Sequence, residues 1–509
     1  MKEEKSLKTR VLKNIFFSET TSIIARLGAL AFTIIIARTF LPELFGIYSL
    51  ALTIILTVFI LSDMGLGSTI TRYLSDSIGK RKVVETRSRL WFLLKIKFFL
   101  ALVTSVLLFL FAGPIAEFFS KPELLTPLRI GSTYLFLESL RNLVSNIFIA
   151  FQKLNYSTIT EAVFQFSRIL LLFVSFYVYK SVEGIFIILS ISLLISLLVS
   201  LKIVAKKYPF LIKGKKIPVE RRRMLKFSGF LALSSISLLI FGNVDKLVLG
   251  YFLNAEFVGF YNAIFSVVAG VLGVVSIASA FFPVFTQLRG KTLERVFKKT
   301  FHYISLMAFP AAIGLSFVIV PLLKILYGTE YVPSQYSFPI LLTSIFLSLL
   351  ILESIFSSIY SVLLNAKEEP NIPAWTTIGT SIINITLNII LVYYWSKINP
   401  AYGLIGASLA TFASRYVGMF ILVFLSAKKM NIFPEKNSII KPLFASLIML
   451  GYLFLFKYLF SLNIITGILM ILSAAVVYFL VIFLIKAISL QEIENIFRHW
   501  KETRQTKFT

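Results

Sequence analysis

Asn14-Ile-Phe-Phe-Ser-Glu-Thr-Thr-Ser-Ile-Ile-Ala-Arg-Leu-Gly-Ala-Leu-Ala-Phe-Thr-Ile-Ile-Ile-Ala-Arg-Thr-Phe40 is the first long apolar run of the chain. Wound as a helix at about 1.5 Å per residue, it outreaches a hydrocarbon core about 30 Å thick. It is too long for the apolar centre of a signal peptide, carries Glu19 and Arg26, and lacks a small-residue cleavage pattern. It reads as an uncleaved membrane span.

The same pattern repeats to the end of the 509 residues, 57% of them hydrophobic, with a mean hydropathy of +0.87. The spacing predicts spans at about 14–39, 44–65, 90–113, 124–151, 157–179, 184–205, 224–252, 256–285, 301–327, 337–364, 371–395, 402–427, 438–460 and 464–486. Blocks this long, without strict alternation, are helices and not barrel strands. The expected fold is an all-α polytopic membrane protein of about 14 transmembrane helices, with no room for a separate soluble catalytic domain.

Loop charges test the count. Basic clusters fall at Lys2/Lys5/Lys8/Arg10, at Arg72 with Lys80–Lys82, from Lys206 to Arg223, from Arg289 to Lys299, and at Lys428/Lys429/Lys436. Each lies at the N-terminus or after an even-numbered span, which predicts both termini on the cytoplasmic side of the cell membrane (plasma or inner). The formal charge of +27 is explained by these loops, and no aromatic-plus-basic pattern of a nucleic-acid module accompanies it. Cysteine is absent, and His302 and His499 lie far apart. No metal site and no cofactor are expected.

A repeat divides the chain. Glu43-Leu-Phe-Gly-Ile-Tyr48 matches Glu256-Phe-Val-Gly-Phe-Tyr261 at an offset of 256 − 43 = 213. Leu137-Glu-Ser-Leu140 matches Leu352-Glu-Ser-Ile355 at 353 − 138 = 215. Six spans per repeat is an even number, so two like-facing lobes are expected at residues 1–213 (spans 1–6) and 214–430 (spans 7–12). Residues 431–509 form a trailing pair of spans and a cytoplasmic tail.

Ionisable residues inside spans are costly, by about 2.5–3.5 kcal/mol each on insertion scales, and mark interior polar pathways. Span one has Glu19 and Arg26; span four has Tyr134, Glu138, Arg141 and Ser145. Span five has Thr158, Glu161, Gln165 and Arg168 at spacings of three and four. Its counterpart, span eleven, shows Thr377, Ser381, Asn384 and Asn388. Asp245, Lys246, Glu353 and Arg415 complete the set. Glu138 and Arg141 can also simply neutralise each other. Stripes repeated in both halves favour a central cavity. Guanidinium suits diphosphate through bidentate bonding, so Arg26, Arg141, Arg168, Lys246 and Arg415 are the candidate head-group contacts. Glu19, Glu138, Glu161, Asp245 and Glu353 are the candidate coupling-ion carboxylates. No Walker loop, dinucleotide fingerprint or Ser-His-Asp pattern is present, and no enzyme is expected.

Ala37-Arg-Thr-Phe-Leu-Pro-Glu-Leu-Phe-Gly-Ile-Tyr-Ser-Leu-Ala51 followed by Ser62-Asp-Met-Gly-Leu-Gly67 resembles the opening of the polysaccharide and O-antigen flippases. These belong to the multidrug/oligosaccharidyl-lipid/polysaccharide exporter superfamily. Gly242-Asn-Val-Asp-Lys-Leu-Val-Leu-Gly250, Ala308-Phe-Pro-Ala-Ala-Ile-Gly314, Leu363-Leu-Asn-Ala-Lys367 and Gly403-Leu-Ile-Gly-Ala407 follow in order. The resemblance implies alternating access of two lobes around a cavity. It implies a polyprenyl- or dolichyl-diphosphate-linked glycan as substrate, carried from the cytoplasmic to the outer leaflet among membrane lipids. The alternatives are a small-molecule exporter coupled to H+ or Na+ and, from another class, a membrane-embedded glycosyltransferase or polymerase.

Overall fold

The computed structural model describes residues 2–178, 180–275, 281–461 and 463–487, with side chains except at 2–13, 15, 175–178, 230, 233–241, 273–275, 282–283 and 464. His499 lies outside the described residues. Every regular element described is helical. The first half runs α1 (Lys2–Thr39), α2 (Pro42–Asp63), α3 (Leu66–Gly79), α4 (Val83–Phe118), α5 (Leu125–Ala150), α6 (Leu154–Val178), α7 (Val182–Lys207) and α8 (Pro209–Ile212). Next come α9 (Arg221–Phe252), α10 (Ala255–Val275), α11 (Phe282–Gln287), α12 (Gly290–Leu326) and α13 (Ser337–Ala366). The chain continues through α14 (Asn371–Ile398), α15 (Tyr402–Met430), α16 (Asn437–Leu459) and α17 (Ile464–Leu484).

Twelve of these segments are long and apolar enough to cross a membrane, among the described residues. Two further long helices, α5 and α9, coincide with the fourth and seventh predicted spans. Polar content keeps α5 out of that count, since it carries Arg129, Glu138 and Arg141, while α9 includes side chains outside the described ones, at 230 and 233–241. The chain is a multi-pass membrane protein, and fourteen is an approximate count of its spans.

The structure differs from the sequence expectation at residues 66–79, which fold as α3 instead of a loop. Met64 and Gly65 both take left-handed backbone angles (φ 41° and 73°) and break α2 from α3. The buried face of α3, with Leu66, Ile70, Tyr73 and Leu74, packs into a core that includes Leu93, Leu143 and Ile147. Helical spacing of those four residues is the signal that carries it.

Two compact units emerge: residues 1–274 with 326–343 and 377–414, and residues 275–325 with 344–376 and 415–509. In the first unit the repeat becomes a physical contact. A Cβ on Gly46 of α2 would fall 1.8 Å from the carbonyl oxygen of Ala255, at the start of α10. A Cβ on Gly259 of α10 would fall 2.2 Å from the carbonyl oxygen of Pro42, at the start of α2. The pairs are reciprocal, since 255 − 42 = 213 and 259 − 46 = 213. Asn262 then donates to Ser49 Oγ at 2.9 Å, positions again 213 apart. Equivalent residues of the two repeats meet one another, as residues do about a local twofold axis. Glycine is required because backbone oxygens cannot give way to a side chain.

The hydrophilic connection after α7 is pinned to α4. Arg87 donates to the carbonyls of Phe210 (2.5 Å) and Lys215 (2.9 Å). Lys216 stands 3.8 Å from the ring centre of Trp91, and Arg89 reaches Asp76, Glu85 and Glu220. Asp76 is held below the usual carboxylate range by its Lys80 hydrogen bond and then by Arg89. In the second unit α16 and α17 pack on α12: Leu306, Met449, Leu453, Met470 and Tyr478 share one core, and Tyr478 donates to the Leu306 carbonyl at 2.8 Å.

Adding one methyl group at the reciprocal contact, by Gly46→Ala, is expected to cost about 1–3 kcal/mol through overpacking. Gly113→Ala, where a Cβ would meet nothing within 4 Å, is expected to stay within about 0.5 kcal/mol of the parent. Thermal unfolding of the purified protein in detergent compares them; equal midpoints would remove the contact's structural importance.

Candidate binding and coupling sites

The spacing of three that puts Glu138 and Arg141 on one face of α5 also turns both toward α6. Arg141 Nε and Nη2 each donate to the Glu138 carboxylate at 2.9 Å. Its Nη1 donates to Glu161 of α6, also at 2.9 Å. The other Glu161 oxygen accepts from Gln165 Nε2 at 2.6 Å, one turn further along. Arg141 is therefore neutralised twice over, as a structural pairing of Glu138 with Arg141 predicts, and Glu161 has both oxygens engaged.

Arg168 differs. It is 8% exposed, its guanidinium lies 4.7 Å from the Phe32 ring centre and 5.0 Å from that of Phe164, and its Nε and Nη2 have no hydrogen-bond partner among the described residues. Aromatic faces favour a cation but supply no acceptor. Tyr48, the tyrosine of the first repeat motif, and Tyr134 stand close enough to act on it electrostatically. A buried guanidinium with open donors suits an incoming anion.

A second cluster in the same unit gathers on Asp245 of α9. Its Oδ1 accepts from Thr411 of α15 (2.6 Å) and Asn388 of α14 (3.1 Å), and its Oδ2 accepts from the hydroxyl of Tyr261, the tyrosine of the second repeat motif. Asn384 donates to Thr411 and Ser414. The side-chain oxygens of Asn384 and Asn388 are buried and have no partner among the described residues. Lys246, the next residue, does not share this network and stands over the Phe265 ring at 5.3 Å.

The second unit holds the third cluster. Glu353 of α13 accepts from Ser357 at 2.7 Å, and Arg415 of α15 reaches Glu353 at 3.5 Å and Ser354 at 3.4 Å. Arg26 and Glu19 are not drawn into any of these clusters by the contacts described. Arg26 is exposed on α1 and Glu19 half-buried, while α1 attaches to α6 through Thr21 and Thr158, whose hydroxyls lie 2.7 Å apart. A mid-span position did not reveal which face of α1 carries Arg26.

One buried pair was not foreseen. Lys97 of α4 is fully buried and donates to Asp63 at the end of α2, with Phe59 beneath it and Glu138 near enough to interact. Lys97 lies in a largely apolar run two residues after the exposed Lys95, so the sequence marks a basic residue there but not which of the two is buried. With this pair, the first cluster holds three cations (Lys97, Arg141, Arg168) and three carboxylates (Asp63, Glu138, Glu161).

A family model described as Polysaccharide biosynthesis protein matches residues 11–289, more than half of the chain. Over 483 residues the chain is 24% identical to an uncharacterized membrane protein of Methanocaldococcus jannaschii, covering 89% of this chain and 90% of the relative. Over 250 residues it is 26% identical to the probable low-salt glycan biosynthesis flippase Agl15 of Haloferax volcanii, covering 48% of this chain and 50% of that relative. An inward closed structure of the lipid II flippase MurJ superposes with a TM-score of 0.74 at 20% identity, over 92% of this chain and 98% of that one. An inward-facing multidrug resistance MATE family transporter of the MOP superfamily gives 0.60 at 16% identity, over 81% and 98%. The fold is that of these transporters.

The two arginines of the first cluster are expected to respond in opposite ways to Met. Arg141→Met strands two carboxylates and should cost about 3–5 kcal/mol. Arg168→Met removes a cation that has no carboxylate bound to it and should be neutral or stabilising. Unfolding midpoints of the two purified variants check this; equal losses would show that Arg168 is a structural charge.

Proposed function

The chain belongs to the polysaccharide biosynthesis protein family, and we propose that it is a flippase carrying a lipid-diphosphate-linked oligosaccharide from the cytoplasmic to the outer leaflet of the cell membrane. Transport, with no bond made or broken, is the whole of its activity in this reading. Both termini are cytoplasmic, and the lobes at 1–213 and 214–430 move relative to each other in alternating access. The observation that carries the reading is Arg168: a buried guanidinium with donors to spare, in a chain whose relatives include a probable glycan flippase.

The head group is charged and hydrated while its polyprenyl or dolichyl tail belongs in lipid, so the carrier must replace water around the diphosphate. Arg168 does so by bidentate hydrogen bonding. Arg141 acts indirectly: by occupying Glu138 and Glu161 it keeps their carboxylates from closing on Arg168 and expelling the ligand. Arg26, exposed on α1, meets the head group outside the buried cluster, and Lys246 and Arg415 are further candidate head-group contacts. The first cluster has no net charge, so phosphate binds through open donors and not through bulk positive potential.

The Asp245 cluster supports coupling to H+ or Na+. One carboxylate and two unpartnered amide oxygens offer hard oxygen ligands to a small cation, on helices of the second repeat. Glu19, Glu138, Glu161 and Glu353 are the alternative carboxylates, but the last three already face arginine.

Reconstituted in vesicles with a fluorescent lipid-linked oligosaccharide, Arg168→Ala is expected to lose flipping by at least about tenfold, the equivalent of one 1.4 kcal/mol contact, with unchanged insertion. Full flipping by this variant would overturn the head-group role. Asp245→Asn is expected to retain substrate binding while flipping no longer responds to an imposed H+ or Na+ gradient; an unchanged gradient response excludes Asp245 as the coupling site.

A further inference from the structure

The second unit contains a polar cavity unrelated to the clusters above. It has a volume of about 610 Å³ and lies among the first turns of α12, the start of α16 and the residues just after α17. Lys291, Arg295, Lys298, Lys299 and Lys441 line it against Glu294 and Glu435, an excess of three positive charges (5 − 2). Two of the five cations have internal work. Lys298 pairs with Glu294 at 2.7 Å, and Lys441 donates to the Lys486 carbonyl at 2.9 Å, beyond the last turn of α17. Lys291, Arg295 and Lys299 are exposed, and none forms an ion pair among the described residues.

The walls are fixed by specific bonds. His302 Nε2 donates to the Ala487 carbonyl at 2.9 Å, and its Nδ1 lies in hydrogen-bond contact with Ser438 Oγ at 3.2 Å. One imidazole thereby joins α12, the start of α16 and the end of α17. The mouth adjoins apolar surface: Ile440, Phe444 and Leu447, at spacings of four and three, are exposed on α16 beside Lys441, and Leu480 and Leu484 are exposed on α17. A site with cations at one end and bare hydrocarbon surface beside it fits a molecule with a phosphate at one end and acyl chains at the other.

We propose that this cavity binds the phosphate of an acidic membrane lipid, whose chains lie along α16 and α17. Basic pockets between membrane helices take acidic lipid head groups in this manner. A bound lipid bridges α12 to the trailing helix pair and holds α16 and α17 in place. The inference does not depend on the transport reading, because its ligand is a bulk lipid and its readout is binding.

The test is thermal unfolding of the full purified chain in detergent, titrated with phosphatidylglycerol, phosphatidylcholine or inorganic phosphate. Phosphatidylglycerol is expected to raise the midpoint saturably by about 3–6 °C, and phosphatidylcholine to leave it unchanged. The double substitution Arg295→Gln/Lys299→Gln, of exposed side chains, should abolish the rise. Lys206→Gln/Lys207→Gln, a basic pair elsewhere, should keep it. Equal responses to the two lipids, or an undiminished response in the Arg295/Lys299 variant, would overturn the site. A full rise with inorganic phosphate alone would overturn the lipid as its source.

Discussion

Lipid offers no hydrogen bonds, so every polar group carried into the bilayer must find its partner within the protein or with a ligand. That constraint writes long apolar helices over most of this chain, and it turns each departure from apolarity into information. Lys97 answers it with Asp63, Arg141 with two glutamates, Asp245 with a phenol, a hydroxyl and an amide. Serine and threonine hydroxyls answer it locally, returning their protons to carbonyls one turn back, as Ser49 and Thr53 do. Against so much satisfaction the incompletely satisfied groups stand apart, and Arg168 is chief among them.

The division of labour inside the first cluster follows from which partners are already spent. Two arginines one helix apart differ in their surroundings: the half-buried Arg141 is clasped by carboxylates, and the buried Arg168 lies against two rings. A carboxylate would have stabilised Arg168 and closed it to ligand; phenylalanine holds the side chain in position without consuming its donors. Stability given up at such a position is retained as binding capacity.

The membrane solvent made much of the fold legible in advance, because length and hydropathy determine a span before packing is considered. Every predicted span overlaps a described helix, with residues 276–280 of the span at 256–285 outside the described residues, and the 213-residue offset read from Glu43 and Glu256 reappears as atoms in contact. Faces were less legible. Arg26 and Arg168 have the same chemistry and comparable depth in sequence, but one is exposed and the other buried, since rotation about a helix axis is set by neighbours. Long-range pairings were invisible: Asp63 with Lys97, or Glu353 with Arg415, join residues 34 and 62 positions apart with no motif between them. The α3 helix escaped notice because its amphipathic pattern sits in a segment too polar to span.

The reciprocal crossing of α2 and α10 has a bearing on how the two halves can change over time. At most sites a duplicated sequence is free to drift, one copy at a time. Where Pro42, Gly46 and Ser49 touch Ala255, Gly259 and Asn262, each copy is part of the other's environment. A larger side chain in one half is opposed by the backbone of the other, so accommodation requires a compensating shift in its twin. The pairing of Ser49 with Asn262 shows the permitted form of divergence: the residues differ, but a donor in one still meets an acceptor in the other. Such a locus keeps two drifting copies in step.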